Sequence, residues 1–258
     1  MFNQYAIIFD QQWQSYTLIM SLALIISFSW MLWQAPAQKR GAVLDGCLAG
    51  LIGAILLGRI VHVALNWVFF SENVTLIWQL WREGGLNGQA AIIGALIFGS
   101  IVAHFRGIPF TDILKPAVLI LPLMSFASWY ACATAGCAYG QSIDRMADYP
   151  QWLTWLAPDI YRLVMPRFAT QALGMGASLI LLIIAILLYW QASLIRTRFW
   201  LMLIAIAILS FSIGFLRGDY SLMFSGLRAG QILDVVIGFF AIIGLSMINR
   251  TASNIEIM

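Results

Sequence analysis

The chain has 258 residues, of which 62% are hydrophobic and only 10% are charged, with a mean hydropathy of +0.88. Water-soluble domains carry about 25% charged residues, so this composition indicates a protein of the lipid bilayer. Fourteen Lys and Arg residues against eleven Asp and Glu residues give a net charge of +3. That charge is too weak and too dispersed for a nucleic-acid-binding surface.

The N-terminus and the cysteines each carry a simple expectation. The first 15 residues contain neither Lys nor Arg, so they lack the charged start of a cleavable signal peptide, and we expect the whole chain to be mature protein.

Cys47, Cys132 and Cys137 lie in apolar stretches without a C-x-x-C pair. Because an odd number of cysteines cannot form a closed disulfide framework, we predict that they are small packing residues.

Seven apolar runs have about the length that crosses a ~30 Å hydrocarbon core as a helix. They cover roughly residues 17–33, 43–69, 89–105, 116–138, 169–190, 199–216 and 230–248. Continuous apolar runs lack the alternation of a barrel strand, and an isolated span must satisfy its own backbone hydrogen bonds. The sequence therefore predicts an all-α integral membrane bundle of about seven transmembrane helices, in one polytopic domain over residues 1–258.

Basic residues in the connections predict the orientation. Seven follow the first, third, fifth and last spans, and six lie on the opposite side, where they are scattered through a long connection or stand beside glycine-rich turns. The seven are Lys39, Arg40, Arg106, Lys115, Arg196, Arg198 and Arg250, and the six are Arg82, Arg145, Arg162, Arg167, Arg217 and Arg228. We expect the side with the compact clusters to be cytoplasmic, which places the N-terminus outside and the C-terminus inside.

The long connection covers residues 139–168 and interleaves aromatic with charged side chains. The aromatic residues include Tyr149, Trp152, Trp155 and Tyr161, and the charged ones include Asp148, Asp159 and Arg162. This mixture is typical of a periplasmic or interfacial segment. The segment either anchors the bundle as an aromatic belt or contacts a substrate directly.

Arg59 stands in the middle of the second predicted span, where a permanent cation costs at least ~2.5 kcal/mol unless it faces protein, water or an anion. One interpretation is structural: Arg59 pairs with Asp45 or Glu83, or reaches to the interface. The other is an anion clamp, because guanidinium donors match phosphate oxygens and lipid headgroups are the abundant anions at this depth. His62, one turn further along, is either a buried hydrogen-bonding residue or a base.

Two further arginines lie at the non-cytoplasmic ends of predicted spans. Arg167 opens the fifth span and Arg217 closes the sixth, so each either anchors at the interface or meets phosphates of the outer leaflet. Glycine-rich turns at 83–89 and 135–140 are compatible with helix capping or with loops that dip toward a polar cavity. Ion-coupled transport is disfavoured, because no span contains a chain of carboxylates, and Asp45 and Asp234 lie near span ends.

Seven short segments come one after another in the order and spacing of a known family. They are Tyr16 with Leu18, Met20 and Ala23; Gly58-Arg59-Ile60; Trp81 with Gly84-Gly85-Leu86; Asp112 with Pro116; Gly136-Cys137-Ala138-Tyr139-Gly140; Arg167 with Thr170 and Gln171; and Phe215-Leu216-Arg217-Gly218-Asp219 with Gly226, Leu227 and Gln231. Over roughly residues 16–240 the chain resembles the prolipoprotein diacylglyceryl transferase family, the bacterial inner-membrane enzymes that begin lipoprotein maturation. No single segment is specific, but seven in the right order are.

The resemblance implies transfer of a diacylglyceryl group from phosphatidylglycerol to the lipobox cysteine of a prolipoprotein, with release of glycerol phosphate and without a metal or organic cofactor. Arg59 and Arg217 would then be the phosphate clamp, with His62 as a stand-in base. The residues implied to contact substrate are Tyr16, Gln89, Tyr139, Arg167, Thr170, Gln171 and Gln231. The signal peptide of the prolipoprotein would enter sideways from the bilayer.

The chain departs from the family pattern at several polar positions. Gln89 stands where the family has a histidine in the loop before the third span. Where the family has an arginine, no basic residue lies between Ser125 and Cys132, and Phe126 or Trp129 is nearest. A proline and a glutamate are replaced by Ala169 and Gly174, and an arginine and a glutamate by Ser210 and Gly214. These departures remove a base, a phosphate ligand and an ion pair. The alternatives are a related membrane enzyme with another lipid-phosphate donor or acceptor, and a non-catalytic lipid-binding membrane protein of the same fold.

Overall fold

A computed structural model describes residues 5–8, 11–80, 85–159, 161–191 and 194–256. Within these ranges the chain is mainly helical. The α-helices are α1 (Ser15–Gln34), α2 (Arg40–Leu65), α3 (Trp67–Glu72), α4 (Gly88–Phe105), α5 (Phe110–Ala135), α6 (Thr170–Tyr189), α7 (Arg198–Gly214) and α8 (Ala229–Glu256), with short 3-10 turns at Ala37–Lys39, Val74–Ile77 and Met146–Asp148.

Six of these helices are long and apolar enough to cross a bilayer, namely α1, α2, α4, α5, α6 and the Ala229–Ile248 part of α8. The predicted all-α membrane bundle is therefore confirmed. The apolar helix α7 has 17 residues, about 25 Å of helix against a ~30 Å core, so the seventh crossing and the orientation stay predictions. The predicted 43–69 span is wrong at its end, because α2 stops at Leu65 and Asn66 leaves the helical conformation before α3 begins.

Helices α2 and α4 pack closely, and their backbones meet at two glycines. A Cβ on Gly53 would overlap the carbonyl oxygen of Gly94, and a Cβ on Gly94 would overlap that of Gly53. Small residues at such a crossing permit tight packing between membrane helices. Near the end of the pair, the backbone N–H of Asn87 donates to the carbonyl of Gly58 at 3.0 Å. The end of α2 is thereby fixed beside the start of α4.

A second group of helices packs around α7. Its Phe199 and Leu203 lie in one buried cluster with Ile237 and Ala241 of α8 and Leu114 of α5. Large apolar side chains on the outer helix faces remain exposed, among them Leu22, Ile52, Ile180, Leu187 and Ile208. Such faces contact lipid in a membrane-spanning bundle, where an apolar surface needs no protein partner.

The described residues contain three antiparallel hairpins, which lie between or before the helices. They pair β1 (Tyr5–Ile8) with β2 (Gln11–Gln14), β3 (Thr154–Pro158) with β4 (Val164–Phe168), and β5 (Met223–Phe224) with β6 (Leu227–Arg228). The predicted interfacial segment 139–168 thus contains the β3–β4 hairpin, in which Trp155 is the register partner of Arg167. Trp152 and Tyr161 beside that hairpin are exposed, as expected of residues at a membrane interface.

Cys132 and Cys137 form a disulfide, with their Cα atoms 4.7 Å apart. The prediction that all three cysteines are packing residues is therefore wrong for this pair. Gly136 adopts a left-handed conformation with φ of 77° at the end of α5, which turns the chain back so that Cys137 meets the last helical turn. An odd number of cysteines leaves one unpaired, and that one is Cys47, a half-buried thiol in α2.

Candidate functional site

The alternation of the helices brings every predicted site residue to one end of the bundle. We call it the site end: α2, α5 and α7 finish there, and α1, α4, α6 and α8 begin there. Tyr16 lies in the first turn of α1 and is 37% exposed. The remaining residues fall into two groups, one around Arg59 and one around Arg217.

Arg59 is 5% exposed and holds the chain between α3 and α4. Its Nη2 donates to the carbonyl of Leu76 at 2.6 Å, its Nε to that of Ile77 at 2.9 Å, and its Nη1 to that of Gly85 at 3.0 Å. The ring of Phe70 lies under the guanidinium group, with the Arg59 Cζ 5.0 Å from the ring centroid. Charge-assisted bonds to three carbonyls fix this loop on α2.

The predicted structural pairing of Arg59 with Asp45 is wrong. Asp45 forms an ion pair with Arg106 at the other end of α2, and 14 residues of helix separate it from Arg59 by about 21 Å. Residues 81–84, which include Glu83 and the Trp81 and Gly84 of the resemblance, lie outside the described residues.

His62 contacts the loop that Arg59 holds. Its imidazole lies against Gly85, where the backbone has a φ of 79° and a Cβ would come within 2.6 Å of His62 Cε1. The edge of the Phe70 ring is close, at 5.9 Å between centroids, and the charge of Arg59 acts on the imidazole. His62 is therefore packed against a glycine that the loop requires, next to a cation.

The N-terminus of α4 presents Gln89 to helix α8. Asn87 caps α4, its Oδ1 accepting a hydrogen bond from the backbone N–H of Ala90 at 2.9 Å. A Cβ on Gly230 of α8 would lie 3.6 Å from Gln89 Nε2, and Asp234, one helical turn further along α8, is 4% exposed. Sequence reasoning treats Asp234 only as a span-end residue. The sequence does contain a signal that could have identified Asp234 as a site residue: it lies three residues after the predicted site residue Gln231, and this spacing places both side chains on one face of the helix.

The second group centres on the carboxylate of Asp219. Arg217 donates to it from Nε at 2.9 Å and from Nη2 at 2.5 Å, and Arg228 donates from Nη2 at 3.1 Å. Arg228 also donates to the backbone carbonyls of Arg217 at 3.1 Å and Asp219 at 2.6 Å. The Arg217 and Arg228 side chains are 28% and 13% exposed. Sequence reasoning misses Arg228 and Asp219 as site residues, because only the tertiary turn at 217–219 brings them together.

Arg167 forms a buried ion pair with Asp159, whereas the sequence predicts only anchoring at the interface or contact with lipid phosphates. Its Nη2 donates to Asp159 at 3.0 Å, with the two side chains only 7% and 9% exposed. Its Nη1 donates to the carbonyl of Gly140 at 3.3 Å, and its guanidinium stacks 4.9 Å from the centroid of the Tyr139 ring. Burial, then the charges of Asp219 and Asp159, raise the pKa of the Tyr139 phenol, against the opposing effect of Arg167. The phenol is therefore protonated at neutral pH.

A short backbone pairing joins the two ion-pair clusters. The N–H of Gly218 donates to the carbonyl of Tyr139 at 2.8 Å, and the N–H of Gln141 to that of Leu216 at 2.9 Å. Gly140 lies between them, where a Cβ would overlap the carbonyl oxygen of Phe168. Glycine is required at residue 140 because three backbone segments meet there.

Three residues that are predicted to contact substrate form hydrogen bonds with backbone groups. Thr170 Oγ1 donates to the carbonyl of Ala138 at 2.7 Å, and Gln171 Nε2 to those of Cys137 at 2.6 Å and Cys132 at 3.4 Å. These bonds hold the disulfide turn on the start of α6. On α8, Gln231 Oε1 accepts from the backbone N–H of Arg228 at 2.9 Å, and its Nε2 donates to the carbonyl of Phe211 at 3.1 Å.

Side chains fill the space beside Gly174 and Gly214, two positions where the resemblance implies a departure from the family pattern. The indole ring of Trp129, in the stretch without a basic residue, occupies the volume that a Cβ on Gly174 would enter. A Cβ on Gly214 would lie 2.6 Å from Cγ of Gln231. A larger side chain at residue 174 or 214 would therefore overlap Trp129 or Gln231.

The family model for prolipoprotein diacylglyceryl transferase matches residues 5–247. The chain belongs to the prolipoprotein diacylglyceryl transferase family. The phosphatidylglycerol–prolipoprotein diacylglyceryl transferase of Streptococcus sanguinis is 28% identical over 246 residues, 90% of this chain and 88% of the relative. The relative of the same name from Clostridium novyi is 27% identical over 217 residues, 82% of this chain and 79% of the relative. The one from Bacillus velezensis is 26% identical over 226 residues, 82% of this chain and 80% of the relative. Membership makes the chain a multi-pass protein of a bacterial inner-membrane transferase family.

Proposed function

We propose that the protein transfers a diacylglyceryl group from phosphatidylglycerol to the lipobox cysteine of a prolipoprotein, in the bacterial cytoplasmic membrane. Family membership supports this reaction class, and the arrangement of Arg217, Asp219 and Arg228 is the observation that carries it. Arg217 and Arg228 share the carboxylate of Asp219, so these three side chains together carry one net positive charge. A phosphodiester carries one negative charge and would balance it.

The donors that remain on these arginines have the chemistry for a phosphate. Among the described residues, no hydrogen-bond acceptor meets Nη1 of Arg217 or Nε of Arg228, whereas their other guanidinium nitrogens are bonded. Guanidinium groups bind phosphate oxygens through such N–H donors. Arg217 and Arg228 would therefore hold the phosphate of the lipid headgroup.

Arg228 takes the place that the sequence analysis gives to Arg59 in the phosphate clamp, and the predicted site residues other than Arg217 would support this pair. Arg59 would position the loop that leads to Gln89, because its guanidinium is held by the loop carbonyls rather than by Asp219. Arg167, bound to Asp159 and to the carbonyl of Gly140, would hold the backbone strand that pairs with residues 216–218. Tyr16 and Tyr139, at the same end of the bundle, would line the approach of the substrate.

The reaction would run as a displacement at carbon. The thiol of the acceptor cysteine loses its proton, its sulfur forms a bond to the glycerol carbon that carries the phosphate, and the bond from that carbon to the phosphate oxygen breaks. The electron pair leaves on the oxygen, which releases glycerol phosphate and leaves a thioether. Fixed guanidinium groups would stabilise the charge that builds up on the departing phosphate.

The site end would face the periplasm, with the N-terminus outside and the C-terminus inside. The Cys132–Cys137 disulfide lies at the site end, and disulfides persist in oxidising compartments such as the periplasm. The arginine pair would then meet phospholipids of the outer leaflet.

A second candidate function is lipid binding without chemistry. It is favoured by the packing at residues 129, 174, 214 and 231, where apolar or amide groups fill the space that ion-pair partners would need. A related enzyme that uses the same arginine pair for another lipid-phosphate donor or acceptor is the intermediate case. Both alternatives keep the arginine pair as a phosphate site and differ in whether the bound lipid reacts.

Complementation of a bacterial strain depleted of its own diacylglyceryl transferase tests the proposed function. We expect growth with the wild-type chain and with Arg145→Gln, which changes an exposed arginine of the same side, and no growth with Arg217→Gln at a matched membrane level. Failure of the wild-type chain to restore growth, with intact expression, would contradict the transferase proposal.

A further inference from the structure

One buried carboxylate at the site end has no part in phosphate binding. Asp234 is 4% exposed and lies in the part of α8 that is apolar enough to cross the bilayer. Ionisable side chains inside membrane helices are costly and usually mark substrate or proton pathways. The only charged group that acts on Asp234 among the described residues is Arg217.

The residue that faces this part of α8 is the one that replaces a histidine in the family pattern. Gln89 stands at that position, and a Cβ on Gly230, one helical turn before Asp234, would lie 3.6 Å from Gln89 Nε2. An amide cannot take up a proton near neutral pH, whereas a carboxylate can accept one. The group able to bind a proton would therefore lie on the facing helix α8 rather than on α4.

The depth of Asp234 suits a proton acceptor for the proposed reaction. Arg228 immediately precedes α8, and Asp234 lies six residues later, about 9 Å deeper along the helix axis. In a phospholipid, the glycerol carbon that the sulfur attacks lies on the acyl-chain side of the phosphate. The base must therefore lie deeper than the phosphate ligands, which is where Asp234 is found relative to Arg217 and Arg228.

The alternative base, His62, has a different environment. Its imidazole is packed against Gly85 and the edge of Phe70, and the Arg59 cation acts on it. Adding a proton there would place two cations side by side in the membrane. Proton uptake by Asp234 instead removes a charge from the membrane interior.

We propose that Asp234 accepts the proton of the acceptor cysteine thiol. The inference rests on the proposed transferase function and names its base. The S–H bond breaks toward an Asp234 carboxylate oxygen, the sulfur forms the C–S bond, and the C–O bond to phosphate breaks with its electron pair leaving on the phosphate. The carboxylic acid then gives its proton to water before the next turnover.

The test uses the full-length protein in phosphatidylglycerol vesicles with a lipobox peptide, and measures both transfer and retained phosphatidylglycerol. We expect Asp234→Asn to slow transfer by about 100-fold or more, the range of a lost general base, while lipid retention stays at the wild-type level. Asp234→Glu should keep more activity than Asp234→Asn. Asp144→Asn, which changes an exposed carboxylate of the same side, should transfer at the wild-type rate.

A second variant separates a base from a structural contact. Gln89→His in the Asp234→Asn background returns a proton acceptor to residue 89, so we expect transfer to recover and to fall below about pH 6.5, where imidazole becomes protonated. Gln89→Asn in the same background should not recover. Two results would overturn the inference while the transferase function stands. One is full activity of Asp234→Asn. The other is that Asp234→Asn loses both transfer and lipid retention and that Gln89→His does not rescue it. Absence of transfer by the wild-type protein overturns both.

Discussion

Asp219 holds Arg217 by two parallel hydrogen bonds, from Nε at 2.9 Å and Nη2 at 2.5 Å. This fork fixes the plane of the guanidinium group and leaves Nη1 as the guanidinium nitrogen without an acceptor among the described residues. Arg228 bonds the same carboxylate and the backbone of the same turn. The result is a preorganised pair of cations whose charge one carboxylate does not fully neutralise.

Replacement of either arginine should weaken phospholipid binding. Arg217→Gln or Arg228→Gln removes charge-assisted bonds worth about 1.5–3 kcal/mol, so we expect the protein to retain phosphatidylglycerol roughly 10-fold to 100-fold less well. Lipid that stays bound after detergent washing, quantified by mass spectrometry, measures this. Arg145→Gln is the matched control. Equal retention by the wild-type protein and all three variants would show that the phosphate binds elsewhere.

The buried ion pair of Arg167 and Asp159 should be a determinant of stability. Asp159→Ala leaves a guanidinium buried without its carboxylate, which we expect to cost about 3–5 kcal/mol. Asp112→Ala breaks the exposed pair with Lys115 and should cost less than about 1 kcal/mol. Unfolding curves of the detergent-solubilised variants compare the two. A similar loss for both would contradict the burial of the Arg167 pair.

Two glycines of α6 should respond oppositely to the same change. Gly174→Ala places a methyl group in the volume of the Trp129 ring, which we expect to cost about 1–3 kcal/mol and to shift the tryptophan fluorescence. At Gly176 no atom lies within 4 Å of the added Cβ, so Gly176→Ala should be neutral or stabilise the helix by up to about 1 kcal/mol. Tolerance of alanine at both positions would argue against the packing of Trp129 on α6.

The disulfide should be visible in the protein purified from membranes. Alkylation of the denatured, unreduced chain should modify one thiol, Cys47, and alkylation after reduction should modify three. Cys47→Ser should show none before reduction and two after it. Three reactive thiols before reduction would mean that the site end does not face an oxidising compartment, and the proposed orientation would then be wrong.

Hydrophobic run length is sufficient to predict the helical membrane bundle, but not its local ends. A run such as 43–69 continues past the structural break because Trp67 to Phe70 are as apolar as the helix before them, and only the backbone at Asn66 separates α2 from α3. Cysteine number gives the wrong answer for Cys132 and Cys137, since the left-handed Gly136 that joins them is a property of the turn. Likewise, the β3–β4 hairpin depends on cross-strand contacts that composition does not encode.

The sequence predicts those site residues whose charge would be costly inside the membrane. It does not predict which groups those residues bind, because tertiary contacts determine the partners. The cost of burying Arg59 predicts that it must have partners, yet the carbonyls of Leu76, Ile77 and Gly85 lie far along the chain. The sequence indicates Arg217 as a site residue but places Arg228 only among the scattered arginines of the same side, because the turn that brings it to Asp219 is not visible in the sequence.

The mass of a lipobox peptide incubated with the protein in phosphatidylglycerol vesicles tests the central claim most directly. We expect the peptide to gain one diacylglyceryl group on its cysteine and glycerol phosphate to appear in equal amount, and neither to occur with Arg217→Gln. A peptide of unchanged mass, in vesicles where the protein demonstrably binds phosphatidylglycerol, would contradict transfer and leave a lipid-binding protein.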